Sequence, residues 1–370
     1  MRFYHLADVH LGAVPDRDRP WSAQRARDIF ESFYQVLDQA REEGIDAIFI
    51  CGDLFHRQPL KRELKELAYH FAKASGTQIF MIAGNHDPVT EGSPYKTFAW
   101  PENVTFLSGS QCRRIYVPSL NLCVYGLSYH SREITRPLYD DLDPRKFSKD
   151  SEGLPKDCRH ILLAHGGDQK HIPIRWDRLR ASGFDYIALG HIHKPWLDPA
   201  GKMAYCGALQ PVDKNDEGPH GFIRGEVTGR QVKLSFVPWA KWNYVNLNIN
   251  VCGDMTWAEV KDLTAQRMED CSASLAPGKT NLYKIALEGF KSLDLAYDLK
   301  ELFHMGNVVS VTDAMALDFD FDSLYEANKG NLLGRYMDKV KAMDLDEASR
   351  RKILYYGFCA LYRTGGGMGQ

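Results

Sequence analysis

The sequence predicts an α/β protein: a two-sheet sandwich, then a small βαβαβ unit, then C-terminal helices. Three observations predict it. Short apolar runs alternate with amphipathic helical stretches in the first half of the chain. Further on, apolar runs crowd together with turn residues between them and few helices. Past Trp242 a second, compact alternation of strand and helix begins.

Arg2–Ala7 reads as a strand. Ser22–Glu43 reads as a helix, with Phe30, Phe33, Leu37 and Ala40 three to four apart. Gly44 follows as a stop. Ala47–Cys51 is a buried strand, Leu60–Ser75 a second helix ended by Gly76, and Gln78–Ala83 the next strand. That order makes a largely parallel sheet covered by helices. The runs at Leu122–Leu127, His160–Ala164, Tyr186–Leu189, Met203–Cys206, Phe222–Val227 and Val232–Val237 supply a second sheet packed on the first. Pro238–Trp242 marks a boundary, so residues 1–240 are expected to form one domain.

Residues 241–318 form the small unit: strand Tyr244–Val251, helix Trp257–Cys271, strand Leu282–Leu287, helix Leu293–His304 and strand Val308–Thr312. Thr256 and Glu259 make a capping box at its first helix. It holds no cluster of catalytic residue types. Residues 319–370 are helical from Phe321, with a stripe of Leu332, Leu333, Tyr336, Val340 and Met343. A further helix is expected at Asp346–Tyr362, then a flexible tail, Gly365–Gln370.

A chain of 370 residues with 44% hydrophobic and 25% charged residues suits an ordinary globular protein. A net charge of −2 excludes a uniformly polyanion-binding surface, so nucleic-acid affinity would come from a local patch or bound metal. The N-terminus lacks the pattern of a signal peptide. No apolar window is long enough to cross a bilayer. Eight scattered cysteines without a Cys-x-x-Cys pair read as buried free thiols in a reducing compartment, so a cytoplasmic protein is expected.

Five segments carry the chemistry: Asp8-Val9-His10, Gly52-Asp53, Gly84-Asn85-His86-Asp87, His165-Gly166 and Gly190-His191-Ile192-His193. Most directly follow a predicted strand, and strand C-terminal ends gather at one edge of a layered α/β fold. Asp, His and Asn offer oxygen and imidazole donors suited to manganese, iron or zinc. In extended backbone, Asp8 and His10 would point to one side, as would His191 and His193. Asp53 could bridge two ions. Alone, each segment is an ordinary turn or a hydrogen-bonded core histidine more often than a ligand. Five ligand-bearing segments in one order are hard to assemble by chance.

That order resembles the calcineurin-like metallophosphoesterase superfamily. Leu6–Gly12, Gly52–His56 and Gly84–Asp87 are similar to stretches of the SbcD-type DNA-repair nucleases, the partners of SbcC-type coiled-coil ATPases in double-strand-break processing. The likeness covers about the first 240 residues; beyond them, the 241–318 unit resembles that family's DNA-capping domain in layout only. The resemblance implies an α/β/β/α metallophosphoesterase sandwich with two divalent ions, manganese first, with iron, magnesium or zinc as alternatives. Asp8, His10, Asp53 and His193 would hold one ion; Asp53, Asn85, His165 and His191 the other. His86 would sit beside the scissile phosphate, and His56 matches a further active-site histidine of the nuclease branch. DNA, an SbcC-type coiled-coil ATPase and a second copy of the chain are the implied partners, with no membrane. The branch is divergent: Gly207-Ala208 and His220-Gly221-Phe222 stand where the family usually has Gly-Ser and Lys-Gly-Phe.

By the same resemblance His86 steadies charge or protonates a leaving 3′-oxygen, and Asp87 orients either that ring or nearby backbone. Candidate phosphate contacts are Arg17, Arg19, Arg25, Arg27, Lys170, Arg175, Arg178, Lys194 and Lys214. Trp21, Tyr129 and Trp196 are candidates for base stacking. Two other functions stay open: a phosphodiesterase or phosphatase acting on a small nucleotide or phosphoprotein, and a scaffold subunit with a relic metal site. The C-terminal stripe has two readings as well, docking on the ATPase or packing on this chain.

Overall fold

The computed structural model describes residues 1–147, 154–155, 157–229, 231–292 and 297–364, the last four of these for backbone only. In chain order the first strands are β1 (Arg2–Leu6), β2 (Ala47–Cys51), β3 (Gln78–Ile82), β4 (Val104–Phe106), β5 (Arg113–Val117) and β6 (Leu122–Gly126). Then follow β7 (Arg159–His165), β8 (Tyr186–Gly190), β9 (Trp196–Leu197), β10 (Met203–Tyr205), β11 (Gly221–Thr228) and β12 (Gln231–Pro238). Helices α1 (Ser22–Glu43), α2 (Lys61–Lys73) and α3 (Trp176–Ala181) accompany them.

These strands make two six-stranded mixed sheets, ordered β12-β11-β1-β2-β3-β4 and β5-β6-β7-β8-β10-β9. Strands β1 to β4 run parallel, as do β6, β7 and β8. Period-two alternation sorts the side chains. Tyr4 and Leu6 face α1 and α2, joining Phe33, Leu37, Leu67 and Phe71 in one buried cluster. Phe3 faces the other sheet and meets Phe49, Phe80, Leu163 and Tyr186 between the sheets. On the far side, Tyr125, Leu162 and Leu189 pack with Leu179 of α3. The result is the expected α/β/β/α sandwich, with one correction: β11 and β12, expected in the second sheet, extend the first, where β11 pairs antiparallel with β1. Every residue of β2 is buried because both of its faces are covered.

The α1 helix spans the predicted residues and ends on Gly44, whose φ of 61° lets its N–H reach the Ala40 and Arg41 carbonyls. Short β4 and β9 and the six-residue α3 were not expected, being too brief for a periodic signal; five-residue β5 was not expected either, because it is an edge strand with none of its residues buried.

The chain divides into two compact units, residues 1–245 with 271–283, and residues 246–270 with 284–370. A third sheet comprises β13 (Trp242–Val251), β14 (Thr280–Lys291) and β15 (Val308–Asp313), with β16 (Ala316–Leu317) beside β14. Helix α4 (Trp257–Ala273) opens on the expected box: Thr256 N–H donates to Glu259 at 2.8 Å and Glu259 N–H to Thr256 Oγ1 at 3.3 Å. The helix expected at Leu293–His304 is a 3₁₀ helix, Leu299–His304, and residues 293–296 lie outside the described ones. The expected flexible tail at 365–370 also lies outside them.

The C-terminal helices are α5 (Phe321–Asn328), α6 (Leu332–Lys341) and α7 (Glu347–Thr364). Met337 and Val340 are buried with Phe319, Leu354 and Phe358, and Leu333 and Tyr336 pack on them. Much of the stripe therefore packs within this chain. Leu332, at 75% exposure, and Met343, at 47%, are corrections to it: they lie off the buried arc. Among the described residues no helix is long and apolar enough to cross a membrane. The eight cysteines are free; Cys51, Cys123, Cys158 and Cys206 are buried, but Cys252 is exposed, against the expectation of buried thiols.

Candidate metal centre

The parallel strands of both sheets deliver the five segments to one edge. Asp8 and His10 follow β1, Asp53 follows β2, Asn85 and His86 follow β3, His165 ends β7, and His191 follows β8. Loop-to-loop hydrogen bonds tie them: Asp8 N–H to Gly52 O at 3.1 Å, His10 N–H to Asp53 O at 3.0 Å, and Gly166 N–H to Gly190 O at 3.1 Å.

Asp8 and His10 do converge, but not through extended backbone as expected. Their φ values are 51° and 53°, and those of Asp53 and His191 are 50° and 98°. Side chains rarely adopt this region, and each such residue costs on the order of 1–3 kcal/mol. The bonds to the 52–53 segment hold β1's continuation in this turn and override strand alternation. Gly52, at φ 85°, has His165 where a Cβ would stand, and Gly84 has the Asp53 carboxylate there. Glycine is therefore what admits the ring and the carboxylate.

Donor atoms fall into groups whose members lie within 4.8 Å of one another: Asp8, His10 and His193; Asp53, His165 and His191; and His10, His56 and His86. Asn85 Oδ1 lies 2.9 Å from His165 Nε2 and 3.1 Å from His191 Nδ1. Asp53 Oδ2 lies 3.5 Å from His165 Nε2. All nine residues singled out in the sequence are thus brought to this edge.

Proton bookkeeping tests whether cations fit. Carbonyl and carboxylate oxygens only accept from ring N–H groups. His165 Nδ1 donates to Cys51 O at 2.8 Å, His191 Nε2 to Asp168 at 2.7 Å and His193 Nδ1 to Asp216 at 3.0 Å. The opposite nitrogens of His165 and His191 point inward at an acceptor, Asn85 Oδ1, at 2.9 and 3.1 Å, and His193 Nε2 lies 3.0 Å from His10 Nε2. Acceptors facing acceptors require a cation or a proton between them, and divalent metal fits the N/O donor set.

Electrostatics agree. Burial opposes charge on both Asp53 and His165, yet each holds the other charged: the Asp53 carboxyl lies far below its ordinary range and His165 rises to about 9. Burial also opposes charge on His193, but Asp216 and Asp8 raise it to about 9. Burial lowers His191 to about 4 and raises Asp8 to about 6. The site is a concentrated charge pair array with little solvent to screen it.

Asp87 orients backbone rather than the His86 ring. It accepts from Phe55 N–H at 3.0 Å, Gly84 N–H at 2.9 Å and Tyr95 Oη at 2.9 Å. His86 Nδ1 lies 3.3 Å from His56 O, so that nitrogen donates and Nε2 is the ring nitrogen left for other partners. The His56 and His86 rings stack, with centroids 5.1 Å apart.

Two expected DNA contacts are corrected. Arg25 is 2% exposed and bonded to Asp16, Tyr244 Oη and Pro211 O, a buried ion pair where the sequence suggested a surface cation. Tyr129 is fully buried with its hydroxyl on His165 O, so it cannot stack on a base. Lys170, Arg175 and Arg178 are exposed but face Glu133, Asp140 and Asp141. Arg27 is exposed and donates to Gln24, Arg19 is half-buried, and Trp21 donates to Asp16. Arg17, Lys194 and Lys214 are exposed, as is Trp196 at 39%. Arg17 is close enough to lower the His56 pKa, behind burial and His86. Asp168 and Asp216 escaped sequence reasoning: each lies 23 residues from its histidine, outside any motif.

Fold and donor set define a phosphoesterase of the dinuclear-metal class. Residues 1–195 match the calcineurin-like phosphoesterase family, and the chain belongs to it; this family uses a dimetal centre. The chain is 28% identical over 315 residues to YhaO of Bacillus subtilis (strain 168), described as an uncharacterized metallophosphoesterase, covering 78% of this chain and 72% of that protein. It is 27% identical over 250 residues to the DNA double-strand break repair protein Mre11 of Methanocaldococcus jannaschii, covering 64% of this chain and 65% of that protein. To Mre11 of Sulfolobus acidocaldarius it is 24% identical over 308 residues, 78% and 75% of the two chains. The chain thus spans just under two thirds of the Methanocaldococcus relative. A dimetal phosphatase from Danio rerio aligns over 63% of this chain and 98% of that one, with 14% identity and a TM-score of 0.35. The resemblance to a divergent Mre11/SbcD-like branch stands.

Proposed function

We propose that the chain is a two-metal DNA nuclease, hydrolysing phosphodiester bonds with Asp8, His10, Asp53, Asn85, His165, His191 and His193 as metal donors and manganese as the metal. The observation that carries the reading is the His10–His56–His86 group beside the donor cluster. A metal site alone needs no such row of imidazoles. Relatives named as DNA double-strand break repair proteins support DNA as the substrate.

When bound, the two ions would polarise the phosphate and lower the pKa of an attacking water. The chain's own residues do the rest. The backbone N–H of His86 donates to Asp53 Oδ1 at 2.8 Å, which ties the base of the ring to a carboxylate that would hold metal. With Nδ1 on the His56 carbonyl, His86 Nε2 is the atom that meets the phosphate. As imidazolium it steadies charge on a non-bridging oxygen or passes its proton to the leaving 3′-oxygen as the P–O bond breaks. Buried Asp87, accepting from Gly84 and Phe55, keeps the 53–55 and 84–87 loops in register. Arg17, Lys194 and Lys214 supply local positive charge for the DNA backbone.

The coiled-coil ATPase and a homodimer belong to the same proposal. So does the division into 1–240, 241–318 and 319–370, with the middle part shaping DNA access and exposed Leu332, Met343 and Tyr356 of the last part meeting the partner. The test is manganese-dependent cleavage of labelled linear DNA by the wild type beside His86→Ala, with bis-p-nitrophenyl phosphate as the small substrate. Cleavage of both by the wild type and of neither by a metal-binding His86→Ala supports the reading. Cleavage of the small diester alone overturns DNA as the substrate.

A further inference from the structure

We infer that Asp168 and Asp216 are positioning residues: each holds one histidine of the His191-Ile192-His193 segment in the tautomer that turns a bare nitrogen into the metal cleft. The inference rests on the reading that both histidines are metal donors.

The two rings sit one residue apart yet use opposite nitrogens. His191 turns Nδ1 inward, 3.1 Å from Asn85 Oδ1, and His193 turns Nε2 inward, 3.0 Å from His10 Nε2. A neutral imidazole places its proton on either nitrogen, and the wrong choice puts an N–H where a lone pair is needed. One shared device cannot serve both rings, because the outward atoms differ. The structure supplies two. Asp168 Oδ2 accepts from His191 Nε2 at 2.7 Å, and Asp216 accepts from His193 Nδ1 at 3.0 and 3.1 Å.

Both carboxylates are themselves pinned by backbone. Asp168 Oδ1 accepts from the N–H groups of Lys170 at 2.7 Å and His171 at 2.9 Å, and Oδ2 also takes His171 Nδ1 at 2.9 Å. Asp216 Oδ2 accepts from the N–H groups of Val212 at 2.9 Å and Asp213 at 3.0 Å. A carboxylate anchored in a turn has one orientation to offer, so the ring it holds has one orientation too. Outer partners of this kind change metal affinity by about 10–100-fold.

The geometry makes Asp→Asn an inverting substitution. In Asp168→Asn the amide oxygen keeps the turn and the NH₂ faces His191 Nε2. The proton then moves to Nδ1, into the cleft. In Asp216→Asn the NH₂ takes the Oδ1 place, 3.0 Å from His193 Nδ1, against a retained oxygen at 3.1 Å, and so shifts the ring's proton toward Nε2. The turn hydrogen bonds survive in both, so folding is preserved.

The experiment titrates Mn²⁺ calorimetrically into the chelator-treated full chain, wild type and both variants. Long-range ¹H–¹⁵N spectra of histidine-labelled metal-free protein, recorded at alkaline pH where the rings are neutral, read the tautomers. The wild type should bind two equivalents. Each variant should weaken one site by about 10–100-fold and leave the other, with the ring signals of His191 or His193 inverted accordingly. Variants with wild-type affinities and unchanged ring signals overturn the inference. So does a third equivalent lost in Asp168→Asn with the other two unchanged, since Asp168, His171 and His191 would then hold an ion of their own. A wild type that binds no Mn²⁺ overturns the metal reading itself, and this inference with it.

Discussion

The Asp53 carboxylate accepts the backbone N–H of His86 at 2.8 Å through one oxygen and faces His165 Nε2 at 3.5 Å through the other. One side chain therefore joins the loops after β2 and β3 of the first sheet to the end of β7 in the second. Asp53→Asn keeps an acceptor for His86 but removes the charge. Manganese affinity should fall at least ~100-fold, more than for an outer partner, as read by calorimetry, while circular dichroism stays that of the wild type.

His86 and His56 should separate by substrate. His86→Ala should lower kcat on bis-p-nitrophenyl phosphate by ~10²–10⁴-fold without changing manganese stoichiometry. His56→Ala keeps the backbone carbonyl that holds His86 Nδ1, so it should cost about 10–100-fold on linear DNA through lost positioning of the longer substrate and much less on the small diester. Equal losses on both substrates would remove His56 from substrate selection.

Arg25 and Arg17 should behave oppositely. Arg25→Met leaves Asp16 without its buried cation, 2.5 Å away, and should cost about 3–5 kcal/mol in urea unfolding. Arg17 is exposed. Arg17→Ala should leave the unfolding midpoint in place and reduce the salt slope of DNA binding by about 1.

Acid stability should depend on His5. Its ring is buried, Nδ1 lies 2.8 Å from Tyr186 Oη, and burial lowers its pKa to about 3. The unfolded chain takes up this proton below about 6.5 and the folded chain does not. His5 therefore costs nothing above pH 6.5, and stability falls by about 1.4 kcal/mol per pH unit from there toward pH 3. Urea midpoints of His5→Phe between pH 7 and 4 should fall less steeply than those of the wild type; parallel slopes would exclude His5 as the cause.

Much of the first sheet was legible because β1, β2, β3 and the helices between them repeat apolar residues at periods of two and 3.6. The residues now gathered at one edge were legible because ligand types recur just after those strands. What was hidden depends on partners far away in sequence. Asp16 and Tyr244 turn Arg25 from a surface cation into a core ion pair. His165 O takes the Tyr129 hydroxyl inside. The left-handed backbone at Asp8 and His10 is imposed by the 52–53 segment, and Asp168 and Asp216 meet their histidines only through loop folding.

The placement of β1 has a bearing on synthesis. Its antiparallel neighbour β11 begins at Gly221, so one edge of the N-terminal strand stays bare for more than 200 residues of translation. At ~5–20 residues per second this interval is roughly 10–40 s. During most of it no hydrolytic centre exists, since His191 and His193 are not yet made. The hydrolytic centre is thus completed only when the domain is nearly closed, while the waiting strand edge is where a chaperone would find its hold.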